Sequence, residues 1–459
     1  MNAARVRGRE RLALALAAVA VLLTRLPWIS SGYGSDPDGY RVVMVARQIA
    51  SGAGYEASRL PGYPVYEYLT ALSATAAPWV SNAVTAMIST GAFVLFALIT
   101  RELAVRRYLL LALAFALTPV IYVSSTCTMD YIPALAGQLA AVYALLRRRP
   151  LLAGLALGLA VGCRITAGAL ALPLCLWILL TQPPRAALRQ CLAFGSTLLV
   201  ACVLCFLPVL RRYGADFFAF YDNGSYPPLG VVAARALPLV WGPLGLAALL
   251  VLICTVPLYY RYARSRLAEP HTRHALALAL LAIALYLAAY LRLPDEAGYL
   301  VPAVPFVLLV IALLAPPRAV SALAVALMVS PWVGFDGIVP TLDGAIVEDH
   351  LVRESQLRQT RTIIDVAARL PGRAAIVCGW VLPRIRLALG GDAQGSHQFI
   401  YLVEDMDDYQ HYLDDGWQLY FLPGVDLYES QAHQLELAEL GAHQLDVPRE
   451  RQRPESTGE

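Results

Sequence analysis

Two carboxylates one residue apart, Asp36 and Asp38 in the stretch SDPDGY, are the side chains whose types and spacing best suit chemistry. Such a pair can hold a divalent cation, or each acid can raise the other's pKa so that one serves as a base. The spacing equally fits a helix start, because Asp is a favoured N-cap and Pro37 suits the first helical position. Further on, SRLPGYPVY sets Arg59 beside Tyr63 and Tyr66. A guanidinium there can grip a phosphate through paired donors, and a Pro-rich turn with interfacial aromatics is the alternative. Asp130 in TCTMDYIP is either a further acidic ligand or an ordinary helix-start carboxylate. Arg164 in GCRITAG lies between two apolar runs and so needs a partner or water. In LRLPDEAGYLVP, Arg292 and Tyr299 flank Asp295 and Glu296, placing cation and hydroxyl donors at one helix boundary. The histidines are scattered, which leaves no zinc site. Of the cysteines only Cys127 and Cys163 fall where a disulfide is chemically possible, with packing as the simpler role.

What must position these residues is a membrane. With 58% hydrophobic and 15% charged residues over 459 positions, the chain holds more apolar surface than a soluble core of that length could hide. Apolar runs long enough for a helix to cross about 30 Å of hydrocarbon recur. They lie at Arg11 to Trp28, Trp79 to Thr100, Tyr108 to Val123, Tyr131 to Leu146, Leu151 to Cys163 and Ala167 to Leu180. Further runs lie at Cys191 to Leu210, Val232 to Tyr259, Ala275 to Leu291, Tyr299 to Ala315 and Ala319 to Phe335. The expectation is an all-α polytopic membrane protein of about eleven transmembrane helices. The first run also resembles a signal peptide, but bulky Leu26, Pro27 and Trp28 stand where a small-residue cleavage pattern belongs.

The chain has no lysine, so arginine alone marks the cytoplasmic ends. Arg5, Arg7 and Arg9 precede the first run, and Arg101, Arg106 and Arg107 follow the second. Arg147, Arg148 and Arg149 follow the fourth, Arg185 and Arg189 the sixth, Arg261, Arg264, Arg266 and Arg273 the eighth, and Arg318 the tenth. Every second loop is arginine-rich, which puts the N-terminus in the cytoplasm and the C-terminus outside a cell's inner membrane. Asp36, Asp38, Arg59, Asp130, Arg164, Arg292, Asp295 and Glu296 then all fall on the outward side, as an active site at the outer face requires.

The first outward loop, residues 29–78, carries an amphipathic stretch over Tyr40, Val43, Met44, Arg47 and Ile49 that suits a helix along the membrane surface. Another outward loop, Arg211 to Gly230, mixes aromatics with Asp216, Asp222 and Pro227. Residues 1–335 form the membrane domain, 336–447 a small α/β extracytoplasmic domain and 448–459 a disordered tail. Within the soluble part the pattern predicts a helix at Glu348 to Leu370 and strands at Ala374 to Val377, Phe399 to Val403 and Gln418 to Leu422. It also predicts helices at Met406 to Leu413 and Tyr428 to Leu445.

SDPDGY, RLPGYP, MDYIP, GLALGLAVGCRITA and RLPDEAGYLVPAVPF, in this order and sidedness over Arg11 to Ala315, resemble the GT-C superfamily of membrane glycosyltransferases. Similar proteins include protein mannosyltransferases and the bacterial enzymes that transfer sugars to lipid A or cell-wall glycans. The resemblance implies a sugar taken from a polyprenyl phosphate at the outer face and passed to a lipid, glycan or protein acceptor, without nucleic acid. It implies Asp36 as the catalytic residue, with Asp38 and Asp130 as supporting acids. Arg59, Tyr63, Arg164, Arg292 and Tyr299 become the donor-phosphate residues. Such enzymes often use a divalent ion, Mg or Mn, for which Asp36 and Asp130 would be ligands. No WWD motif is present, which favours transfer of a single sugar over a whole glycan.

Two other readings compete. A lipid or solute transporter usually has polar groups at the midplane of repeated halves, whereas here the charges gather at one rim and no repeat is visible. A non-catalytic scaffold of glycan assembly would keep the fold and lose the acids. Asp36 and Asp130 are both present.

Overall fold

A computed structural model of the chain describes residues 3–214, 226–391, 393–395, 397–400, 407–423 and 437–447. It divides into two compact units, residues 1–33 with 45–349, and residues 34–44 with 350–459. The larger unit holds α1 (Ala3–Arg25), the end of α2 (Pro37–Ala50), α3 (Pro64–Ala71), α4 (Pro78–Glu102), α5 (Tyr108–Ala116), α6 (Pro119–Ser124), α7 (Tyr131–Leu146) and α8 (Pro150–Cys163). It continues through α9 (Ala171–Thr181), α10 (Pro184–Tyr213), α11 (Leu229–Ala236), α12 (Pro238–Cys254), α13 (Val256–Leu267), α14 (Pro270–Arg292), α15 (Val304–Leu314) and α16 (Pro317–Val329). Proline opens α3, α4, α8, α10, α14 and α16, where its fixed φ suits the first helical position and its missing N–H goes unneeded.

Among the described residues four helices are individually long and apolar enough to cross a membrane: Gly8–Trp28, Pro78–Glu102, Pro184–Tyr213 and Pro270–Arg292. The pair α11 and α12, bent by 68°, meets the same length and apolarity only when the two helices are taken together. The other apolar runs are shorter or broken. Tyr108 to Val123 divides at Thr118, whose extended backbone before Pro119 stops α5. Ala167 to Leu180 divides into a 3-10 turn, Ile165–Leu170, and α9. Val232 to Tyr259 becomes three helices.

Close packing in this unit depends on small residues. Gly154, Gly158 and Gly162 form a stripe along α8, and a Cβ on Gly158 would lie 2.4 Å from the Cβ of Ala201 on α10. A Cβ on Gly162 would lie 2.4 Å from Val65 of α3. Glycine therefore lets α10 and α3 approach the α8 backbone directly, the way helices associate where lipid offers no hydrophobic drive. After α16 comes a hairpin of β1 (Gly334–Asp336) and β2 (Val339–Thr341), turning at Gly337 with φ +60°.

The smaller unit contains the start of α2 and most of α17 (Ala345–Ala367), then β3 (Ala374–Val377), α18 (Leu382–Leu389), β4 (Ala393–Gln394), β5 (His397–Ile400), α19 (Asp407–Asp414), β6 (Gln418–Phe421) and β7 (His443–Gln444). The sheet runs β4-β5-β3-β6-β7, with β3 parallel to both β5 and β6 and only β4 antiparallel. Alternation along β3 sends Ile376 to one apolar layer with Ile363, Leu382 and Phe399. Ala375 and Val377 go to the other, with Tyr409, Leu419 and Phe421. Both faces are thus covered, as parallel strands require.

The hairpin groups with the larger unit, against α12, and residues 34–44 group with the smaller one. Tyr428 to Leu445 is not a continuous helix. His443–Gln444 pairs with β6 as an edge strand, since tertiary pairing outweighs local helical pattern. Asp216 and Asp222, residues 401–403, Met406, residues 428–436 and the tail 448–459 lie outside the described residues.

Candidate active site

In the larger unit the site is built around Asp130, the residue before α7. It makes no capping hydrogen bond there, and its side chain is fully buried. Oδ1 accepts from Arg59 Nη2 at 3.0 Å and Oδ2 from Arg164 Nη1 at 2.7 Å. A buried carboxylate is tolerable only when paired, and here two cations share it. Arg59 comes from the loop before α3, and Arg164 from the extended residue that ends α8. The glycine stripe draws α8 against α3 and α10, so the break carrying Arg164 sits at a tightly packed junction.

Aromatic rings orient both guanidiniums. Arg59 Cζ lies 4.2 Å from the centroid of Tyr63, to whose hydroxyl Nε donates at 3.1 Å. Arg164 Cζ lies 4.4 Å from Tyr131 and 4.7 Å from Tyr299. These are cation–π distances, and a guanidinium held between rings loses little freedom when it binds a planar or tetrahedral anion. Tyr131 donates from its hydroxyl to Glu296. Arg59 and Arg164 keep 18% and 12% exposure, so both reach a surface.

A buried network backs the Arg59 loop. Glu67 on α3 accepts from Tyr55 Oη at 2.5 Å, Ser58 N at 2.8 Å and Ser58 Oγ at 2.7 Å, and Tyr213 Oη receives Ala57 N at 2.9 Å. Burial pushes the Glu67 carboxyl above the ordinary range, against the pull of its hydrogen bonds.

The expected residues are therefore divided. Asp130, Arg59, Tyr63, Arg164 and Tyr299 come together. Arg292 stands apart, exposed at the last turn of α14. The buried face of α14 runs through Tyr286 and Tyr290, and a residue two positions beyond points away from it. Glu296, expected on the outward side, joins the gathered residues through Tyr131, whereas Tyr131 and Glu67 belong to the arrangement although their residue types and positions singled out neither. An isolated glutamate in an apolar helix was the one local signal for Glu67.

Asp36 and Asp38 lie in the smaller unit. Asp36 Oδ1 accepts from Asp38 N at 2.8 Å, which is the helix-capping geometry, and Asp38 pairs with Arg41 at 3.3 Å. The cap engages one oxygen and leaves the carboxylate's charge in place. Asp130 does not fit as a ligand for Mg or Mn, since both its oxygens face guanidiniums that would repel the ion. Cys127 and Cys163 are buried, and the cysteines form no disulfide.

Membrane-length helices with shorter apolar helices among them define a polytopic membrane protein. The chain is similar to ArnT from Cupriavidus metallidurans, solved in the apo state, with a TM-score of 0.60 and 13% identity over 95% of each chain. No protein-family model and no curated protein matches the sequence.

Proposed function

We propose that the protein is an integral membrane glycosyltransferase that moves a single sugar from a polyprenyl-phosphate donor to an acceptor hydroxyl. The reaction takes place at the outer face of the cytoplasmic membrane and inverts the anomeric centre. The observation that carries this reading is the buried Asp130 holding Arg59 and Arg164 against tyrosine rings, on a chain folded like ArnT, a GT-C glycosyltransferase.

The chemistry follows from the leaving group. A glycosidase must protonate an alkoxide, whereas a lipid phosphate departs as a stabilised anion and needs cations to receive it. Arg59 and Arg164 supply them, pre-oriented by Asp130 and the rings, so little reorganisation accompanies departure. The acceptor oxygen attacks the anomeric carbon as the bond from that carbon to the phosphate oxygen breaks. Asp36 takes the hydroxyl proton, and the phosphate leaves with the bonding electrons.

Purified protein incubated with a panel of radiolabelled polyprenyl-phosphate sugars, together with lipid, glycan and peptide acceptors, tests this directly. One donor is expected to be consumed. Asp36→Asn keeps the capping oxygen, so expression and thermal stability should hold while transfer falls by roughly two to four orders of magnitude. Parental turnover in Asp36→Asn would remove the base, and no turnover of any donor by the parental protein would remove the reading.

A further inference from the structure

The segment Gly34–Met44, which carries the first-loop carboxylates, packs as part of the C-terminal unit. Ser35 O accepts from Gln356 Nε2 of α17 at 3.0 Å. Arg41 Cζ lies 5.0 Å over the ring of Trp380. Trp380 stands in the turn after the carboxyl end of β3. In an open parallel sheet that is where side chains project toward a ligand, and β3 is the strand at which the order reverses: the chain crosses from β3 to β5 on one side, then from β5 through α19 to β6 on the other. Here the position is met by a residue of the same chain. Contacts then run in series from Trp380 to Arg41, from Arg41 to Asp38 at 3.3 Å, and from the Asp38 amide to Asp36 Oδ1 at 2.8 Å.

The series has a physical consequence. An ion pair between partly exposed side chains, here 23% and 19%, is weak alone, because water competes and both side chains must be ordered to make it. A ring beneath the guanidinium removes part of that freedom before the pair forms and lowers the entropy cost of holding it. Asp38 is then held at the first turn of α2, and its amide holds Asp36. We infer that Trp380 is a positioning residue for the Asp36–Asp38 pair, acting through Arg41, so that the C-terminal unit sets the geometry of the first-loop acids.

The kinetic arm of the test rests on the glycosyltransferase reading, and an exchange arm does not. With the radiolabelled polyprenyl-phosphate sugar that the parental full-length protein consumes, Trp380→Ala should lower kcat about tenfold with donor KM unchanged, and Trp380→Phe should restore most of it. Arg41→Gln should lower kcat to a similar extent, and the double variant should lose no more than either single one, since both break one series. Equal activity in Trp380→Ala, or additive losses in the double variant, overturns the proposal and leaves the glycosyltransferase reading standing. Hydrogen exchange of the peptide covering residues 36–44 decides the matter without any donor. Its protection should fall about tenfold in Trp380→Ala and in Arg41→Gln but not in Trp380→Phe. Unchanged protection overturns the proposal, and Arg41→Gln keeps the test decisive should Trp380→Ala fail to fold.

Discussion

Asp130 shows how one carboxylate can be worth more as an anchor than as an acid. Removing it would leave two guanidiniums confined at a packed junction without their counter-ion, a loss that breaking a buried pair typically puts at about 3 to 5 kcal/mol. The arginines themselves face a surface, so their replacement is read in binding. Arg59→Ala and Arg164→Ala should each weaken binding of a polyprenyl phosphate by about 1.5 to 3 kcal/mol, the range for a hydrogen bond to a charged group. Arg292→Ala, exposed on the far face of α14, is expected to change affinity less. Titration of each variant with the lipid phosphate checks this, and unchanged affinity in both Arg59→Ala and Arg164→Ala would remove the clamp.

At the scale of elements, α3 is a latch. It presents Glu67 inward to hold Tyr55 and Ser58, and the loop so held leads directly into Arg59. The Glu67 carboxyl is raised chiefly by burial, so the folded protein binds its proton more tightly than the unfolded chain does. A raised acid contributes stability at low pH, and that contribution is lost as pH rises from the ordinary glutamate value of about 4.3 through the raised one. Glu67→Gln, which keeps an acceptor and cannot ionise, should flatten this part of the stability curve. Melting temperatures of parental and variant protein across about pH 4 to 8 give the comparison, and parallel curves would show that Glu67 does not titrate there.

On the scale of the whole chain, the arginine-rich loops of the larger unit are brought to one place by the helices. Ala104 to Arg107, Tyr262 to Glu269 and Ala312 to Val320 contribute to one cavity of about 200 Å³, lined by Arg106, Arg107 and Arg266. Arg147 from a fourth loop pairs with Glu102 at 2.9 Å. Loops separated in sequence thus share one basic end, which is the arrangement that the positive-inside bias acts on. A reporter fused after Glu459 should accordingly be active only on the outer side of the membrane. Activity in the cytoplasm would mean that the short run around Arg164 does not cross the membrane as expected, since one span there inverts everything downstream.

Hydropathy and arginine placement, read along the chain, determined the membrane class and where most helices lie; Tyr131–Leu146 has the same bounds in the fold as in the pattern. The capping geometry at Asp36 was equally local, a property of Asp-Pro at a helix start. These features were legible because periodicity and capping act within about one helical turn. Tertiary structure alone decided that Arg59 and Arg164 share Asp130, that Arg292 points elsewhere, and that Glu67 latches the loop before Arg59. It also assigned the first-loop acids to the C-terminal unit and turned His443–Gln444 into a strand. Each of these depends on which helix ends and strand edges meet, and a buried ion forms its pair with whatever group the packing delivers, at any separation along the chain.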